Sequence, residues 1–249
     1  MNRTFRYERA GYSMGIGGAM TPAVKALIIA NAAVFVFESL LRIAGFNAVD
    51  EILRGLFALQ PDMVYGRGFV WQLATYLFLH ADNLSHILIN MFMLWMFGVE
   101  MERMWGATKF VKYYFLTGVG AGILTCFFSP QSRTIGASGA IFGVMLAYGM
   151  TFPDRQILFW FVFPMKARHF VLLLAGIELW VSSQFVSDGI GHFAHLGGML
   201  FGYLYLKRAW RLKEWIAELR WRARRRRFRV FESHQQEERP KGKDRYPYH

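Results

Sequence analysis

T-I-G-A-S-G-A-I-F-G-V-M-L-A-Y, residues Thr134 to Tyr148, decides how the rest of the chain is read. Ser138 lies between Gly136 and Gly139 at the start of an apolar run that meets no charge before Asp154. Gly139 and Gly143 are four residues apart, a small-xxx-small face that lets a second helix backbone come close inside a membrane. The stretch predicts a short buried helix with a hydroxyl just inside its first turn. A lone serine in such a helix usually bonds back to its own backbone. Chemistry at Ser138 therefore needs company from elsewhere in the chain.

The composition supplies the setting. Of 249 residues, 54% are hydrophobic and 18% charged, where a soluble domain carries about a quarter charged residues. The apolar residues fall in long runs rather than stripes, so the chain reads as one polytopic membrane domain. Residues 1–20 are polar and glycine-rich, without the apolar core of a cleavable signal peptide. The single cysteine, Cys126, excludes an intrachain disulfide and any zinc site built on cysteine pairs. No cofactor or metal is expected.

The net charge of +12 is concentrated at the carboxyl end, where the densest run is W-R-A-R-R-R-R-F-R, Trp221 to Arg229. Such a run can bind nucleic acid. An apolar span precedes it, so it reads instead as a cytoplasmic tail resting on anionic lipid, with no nucleic-acid partner.

Outward from the central stretch, the chain divides into a basic arm (1–20), a membrane domain (21–207) and a basic tail (208–249). Six spans are expected. Span one opens at Thr21-Pro22, with threonine at a cap position and proline in the first turn. It ends near Ala44, with Glu38 and Arg42 spaced to pair on one face. Residues 45–70 are too polar to span and contain amphipathic pieces such as Ile52 to Leu59, suited to the interface. Span two covers Leu84 to Trp105, span three Phe110 to Phe128, and span four about Gly136 to Thr151. Ile157 to Phe163 reads as a re-entrant or interfacial connection, followed by a basic turn from Pro164 to Arg168. Span five covers His169 to Ser183 and contains Glu178. A carboxyl inside a membrane is costly enough to be a functional candidate, although a carboxyl hydrogen-bonded within the bundle is the plainer reading. Gln184 to Gly191 is a polar loop, and span six runs from His192 to Lys207. Six spans put both termini on one side, and the tail charge makes that side cytoplasmic.

Parity then gathers the unusual polar residues. Every even span runs from outside to inside, and His86 and Asn90, Ser138, and His195 lie near the starts of spans two, four and six. At about 1.5 Å per residue, all four sit within roughly two turns of the outer end. His86 and Asn90 are four apart and share a helix face. His195 is followed by Gly198 and Gly202, a second small face matching Gly139 and Gly143. Contact between the two faces would bring Ser138 beside His195. An imidazole can take the proton of a serine that attacks a carbonyl, and Asn90, His86 and the backbone N–H groups around Gly136 to Gly139 are candidate donors to the oxyanion. The pattern places no acid to orient His195, since Asp188 reads as a solvated loop residue. A dyad is expected rather than a triad.

Taken together, G-A-S-G on span four, A-H-L-G-G on span six and H-x-x-x-N on span two resemble the rhomboid family of intramembrane serine proteases. The resemblance covers residues 22–206. It implies an all-α fold, a six-transmembrane-helix bundle, with Ser138 as nucleophile and His195 as general base and acid. It implies His86, Asn90 and Gly136 on the oxyanion and substrate side. Glu100, Glu102, Arg103 and Gly106 look like the structural E/R/G cluster of the family, and His80 resembles a histidine found before the span-two motif. Many relatives carry tyrosine four residues after the serine; here it is Phe142, which can stack on the imidazole but cannot donate. The basic turn resembles one seen in bacterial relatives. The resemblance implies cleavage of transmembrane protein substrates near the outer end of their spans, in a bacterial cytoplasmic membrane. The alternatives are an inactive rhomboid-like protein that binds membrane helices, and a small transporter, for which internal repeats are missing. Substrate identity and oligomeric state are not legible.

Overall fold

The computed structural model describes residues 19–159, 163–183 and 191–208. The chain divides into two compact units, Met1–Leu204 and Tyr205–His249. Residues 1–18 of the expected arm, 209–249 of the expected tail, and Asp188 with most of its loop lie outside the described residues. Of the second unit, the described residues 205–208 are helical.

Among the described residues, the first unit is a helical membrane bundle with one pair of short antiparallel strands. Its elements are α1 (Pro22–Ile43), α2 (Asn47–Phe57), α3 (Pro61–Arg67), α4 (Gln72–Thr75) with a 3₁₀ turn (Tyr76–Phe78), α5 (Leu84–Trp105), α6 (Ala107–Phe128), α7 (Ser138–Thr151), β1 (Gln156–Phe159), β2 (Phe163–Lys166) and α8 (Ala167–Ser183). A last helix, α9, begins at residue 192. Among the described residues α1, α5 and α6, each 22 residues long, are long and apolar enough to cross a membrane by themselves. Their outward faces carry Ile29, Phe37, Leu40, Leu88 and Phe127, exposed as lipid-facing residues are.

The shortness of α7 is what positions the site. Its 14 residues rise ~21 Å, less than the roughly 30 Å hydrocarbon thickness. It packs on α5, α6 and α8, and the chain before it is pinned from the side. Leu59 and Thr134 exchange backbone hydrogen bonds of 3.0 and 2.9 Å, and the Gly136 N–H donates to the Tyr76 carbonyl at 2.9 Å. Gly136 has φ +116°, and a Cβ there would sit 3.0 Å from the His86 ring. Only glycine suits both demands.

The loop side of the bundle is held by charge. Thr21 does not cap α1 with its side chain. Its hydroxyl donates instead to Glu102, whose carboxylate also accepts the Ala23 and Val24 N–H groups at 2.9 and 2.8 Å. An acid from α5 thus satisfies the orphan donors and positive dipole end of α1. The rest of the E/R/G cluster is at the same end. Glu100 bridges Arg103 and Arg155 at 3.2 and 2.9 Å, and Gly106 turns the chain into α6 with φ +79°.

Three expectations need correction. Glu38 and Arg42 are not partners: Glu38, buried at 1% exposure, faces Arg54 Nε at 3.2 Å, while Arg42 pairs with Asp50 at 3.1 Å. Helix α2 turns its Asp50 and Arg54 face inward and leaves Val49, Ile52 and Leu56 exposed, as a helix lying at the interface should. Within the stretch read as a re-entrant or interfacial connection, the described residues form strands rather than an inserted segment. Gln156–Phe159 and Phe163–Lys166 pair antiparallel, with Ile157 opposite Met165. Apolar alternation over so few residues does not tell a strand from an inserted segment. Finally, Gly143 and Gly202 do not meet each other. A Cβ on Gly143 would strike Thr117, and one on Gly202 would strike Tyr113, both on α6. Tyr113 donates its hydroxyl to the Gly143 carbonyl at 2.8 Å.

Arg54 also holds Asp82 at 2.7 Å and the His80 carbonyl at 3.1 Å, joining α2 to the segment before α5. Arg54→Ala is expected to destabilise the protein by about 3–5 kcal/mol, because Glu38 is left buried without its cation. An unfolding midpoint in detergent equal to that of the wild type would show that Glu38 does not need it.

Candidate active site

Helices α7 and α9 bring Ser138 and His195 together across 57 residues of sequence. The His195 Nε2–Ser138 Oγ separation is 2.8 Å, a hydrogen bond. The approach depends on Gly198 of α9, where a Cβ would lie 1.8 Å from the Gly139 carbonyl oxygen. Gly139 is equally close-packed, its missing Cβ blocked by Ala121 at 2.6 Å and by the Ala194 carbonyl at 3.2 Å. Phe142 lies one turn along α7 from Ser138 and stacks on the His195 ring, centroids 4.1 Å apart and planes 5° from parallel. That contact fixes the imidazole plane without a hydrogen bond.

His86 and Asn90 face the same space from the first turns of α5. Asn83 caps this helix, its Oδ1 accepting the His86 N–H at 2.8 Å. His86 Nδ1 accepts the Ala81 backbone N–H at 3.1 Å. A nitrogen that accepts carries no proton, so Nε2 is the protonated one. It is also the nitrogen turned toward Gly136, 3.1 Å from where a Cβ on that residue would stand, and Ser138 Oγ is 3.9 Å from the same point. Asn90 is buried and its amide currently donates to the His86 carbonyl at 2.8 Å. The Gly136 N–H is taken by Tyr76. The first helical bond of α7 runs from the Ile141 N–H to the Ala137 carbonyl, so the N–H groups of Ser138 and Gly139 lie in the first turn, without intrahelical acceptors. His80, fully buried, packs against His86 with ring centroids 5.2 Å apart. Burial, assisted by His86, pushes its imidazole down to about 4, so it stays neutral at physiological pH.

A cavity of about 1240 Å³ opens over these groups, lined by His86, Asn90, Ser138 and His195 and by apolar residues of α5, α7 and α8 that include Met93, Met96, Met145 and Leu174. Helices α5 and α8 touch through stacked Phe97 and Phe170, 5.8 Å apart. The site thus combines a polar floor with an apolar flank.

The sequence marks Glu178 as a carboxyl within the bundle but assigns it no partner, and it assigns His192 no role. Glu178 of α8 places Oε1 2.9 Å from His195 Nδ1, and its Oε2 accepts a hydrogen bond from His192 Nδ1 at 2.7 Å. Oε1 lies off the His195 N–H direction, so that contact is a close approach rather than an aligned hydrogen bond. The signal was present in the parity argument. Glu178 lies near the end of an outward-running span and His192 at the start of the next inward one, so both share the depth of His195.

A family model described as the Rhomboid domain matches residues 67–211, more than half of the chain. RHOMBOID-like protein 1 of Arabidopsis thaliana is 27% identical over 73% of this chain and 51% of its own length. Rhomboid protein 1, mitochondrial, of Saccharomyces cerevisiae is 32% identical over 48% of this chain and 36% of its own. Rhomboid protease GluP of Bacillus subtilis is 29% identical over 66% of this chain and 31% of its own. The chain spans about half the length of the first of these relatives. With its helical bundle, its apolar spans and a family model covering most of the described residues, this chain belongs to the rhomboid family.

Proposed function

We propose that the chain is an intramembrane serine endopeptidase that cuts transmembrane segments of other proteins. The observation that carries this reading is the 2.8 Å hydrogen bond from Ser138 Oγ to His195 Nε2 beneath a cavity with an apolar flank. A serine hydroxyl is a weak nucleophile until a base takes its proton during attack. His195 Nε2 is placed to accept that proton as Oγ bonds to the scissile carbonyl carbon. The same nitrogen then returns it to the leaving amine, which gives an acyl-enzyme. Water entering the cavity, deprotonated by His195, releases Ser138.

Charge develops on the carbonyl oxygen in each tetrahedral intermediate, and donors aimed there lower the barrier. His86 Nε2–H and the Ser138 and Gly139 N–H groups at the positive end of α7 are suited to this role. Asn90 joins them when its amide turns from the His86 carbonyl. The Gly136 N–H does not contribute as a donor, because it is engaged by Tyr76; Gly136 instead keeps the space beside His86 open. A bacterial cytoplasmic membrane with both termini inside, as the positive-inside rule suggests, puts the cut near the outer end of the substrate span.

Asn90→Ala and His86→Ala are expected to lower kcat while leaving KM nearly unchanged, because an oxyanion contact forms chiefly in the transition state. Loss of one such donor costs about 2.7–4 kcal/mol in a soluble serine protease, roughly 100- to 1000-fold in rate. Unaltered kcat in both variants would remove these side chains from the oxyanion site.

The reading as a whole is tested with purified protein in liposomes holding a single-span substrate. The products should map to a bond within the span. Intact substrate after prolonged incubation with folded protein would count against proteolysis.

A further inference from the structure

We propose that Glu178, held in place by His192, is a positioning residue that selects the tautomer of His195. The proposal rests on the protease reading and deepens it.

Glu178 and His195 are both more than nine-tenths buried, at 8% and 7% exposure. The carboxylate lies between two imidazoles of one helix, three residues apart, at 2.7 Å from His192 Nδ1 and 2.9 Å from His195 Nδ1. An ionised carboxylate only accepts hydrogen bonds, so a carboxylate beside each Nδ1 favours the tautomer with the proton on that nitrogen. For His195 this choice decides function. With its proton on Nδ1, Nε2 holds the lone pair that receives the Ser138 proton. With the proton on Nε2, the ring cannot act as base. Once His195 has taken the proton, its positive charge sits beside Glu178, which remains a carboxylate throughout. The proton leaves again from Nε2 to the amine, so nothing is transferred to Glu178. The off-axis approach of Oε1 suits a free enzyme, where catalytic hydrogen bonds are often poorly aligned and tighten when substrate binds. Phe142 holds the plane of the ring by stacking, and Glu178 selects its tautomer.

The three residues offer ligand atoms within 4.8 Å of one another, a set that would also suit a divalent cation. The spacings argue against it. Zinc bound at about 2.0–2.2 Å would hold tetrahedral ligand atoms roughly 3.3 Å apart. The observed 2.7 and 2.9 Å are both shorter than that.

The test compares Glu178→Gln and Glu178→Asp with the wild type. Glutamine keeps the size and polarity but turns an N–H or a neutral oxygen toward His195. The expected result is a fall in kcat of about 10²-fold or more, with KM within about twofold and an unchanged melting temperature. Aspartate should recover at least about tenfold of that loss, since it restores the acceptor. Nitrogen NMR of histidine-labelled protein, assigned with His195→Ala, should find Nδ1 of His195 protonated and Nε2 bare in the wild type, and the reverse in Glu178→Gln. This readout does not need activity. A kcat for Glu178→Gln within about threefold of wild type, or a melting temperature that falls while kcat holds, would overturn the proposal and leave the protease reading intact. So would an Nε2-protonated His195 in the wild type, or wild-type activity lost to a chelator and restored by zinc. Proteolysis that survives in Ser138→Ala would instead break the protease reading itself.

Discussion

Ser138→Ala and His195→Ala are each expected to reduce kcat on the order of 10⁶-fold, to background, while the protein stays folded. The physical reason is that nucleophile and base act as one unit. Without His195, the half-buried Ser138 hydroxyl has no base beside it to take its proton. Without Ser138, His195 has no nucleophile within reach except water. The double variant should therefore be no slower than either single one. Rates measured on a single-span substrate check both statements. A His195→Ala rate within about tenfold of wild type would show that another group takes the proton.

Gly198→Val is expected to be as damaging without removing any chemical group. Its first added carbon would lie 1.8 Å from the Gly139 carbonyl oxygen, and the atom struck is backbone. Neither helix can yield by turning a side chain, so α9 must move away from α7. Overpacking a core typically costs 1–3 kcal/mol, and a backbone clash lies at or above the upper end. A shift of about 1 Å at the Ser138–His195 pair is enough to cost roughly 100-fold in rate. Gly176→Ala is the control, because no atom outside its own helix lies within 4 Å of a Cβ there. Normal cleavage and melting in Gly198→Val would mean that the two helices are not in backbone contact.

The close approach of Gly198 to Gly139 also marks where the sequence is legible. Ser138, His195, Gly139 and Gly198 could be related because parity fixes depth and a small residue marks close approach. The second glycine of each pair serves a different contact. Gly143 and Gly202 fit around Thr117 and Tyr113 of α6, because two helices that cross at Gly139 and Gly198 diverge a turn later. Depth alone gave no rotation for Glu178, so its place beside His195 could not be told from any other inward position on span five. Glu38 had a cation at the right helical spacing in Arg42, yet its partner is Arg54, supplied by an interfacial helix whose direction no local pattern records. The strand pair failed for a third reason. A short apolar run at a membrane surface looks alike as strand or as inserted segment, and only the pairing partner decides.

The central claim, that His195 activates Ser138 for attack, is tested most directly by labelling with a fluorophosphonate, which reacts covalently with an activated serine. The account predicts that the folded wild-type protein is labelled at Ser138, and that Ser138→Ala and His195→Ala are not. Labelling of Ser138→Ala to the wild-type level, or of His195→Ala at the wild-type rate, would contradict it.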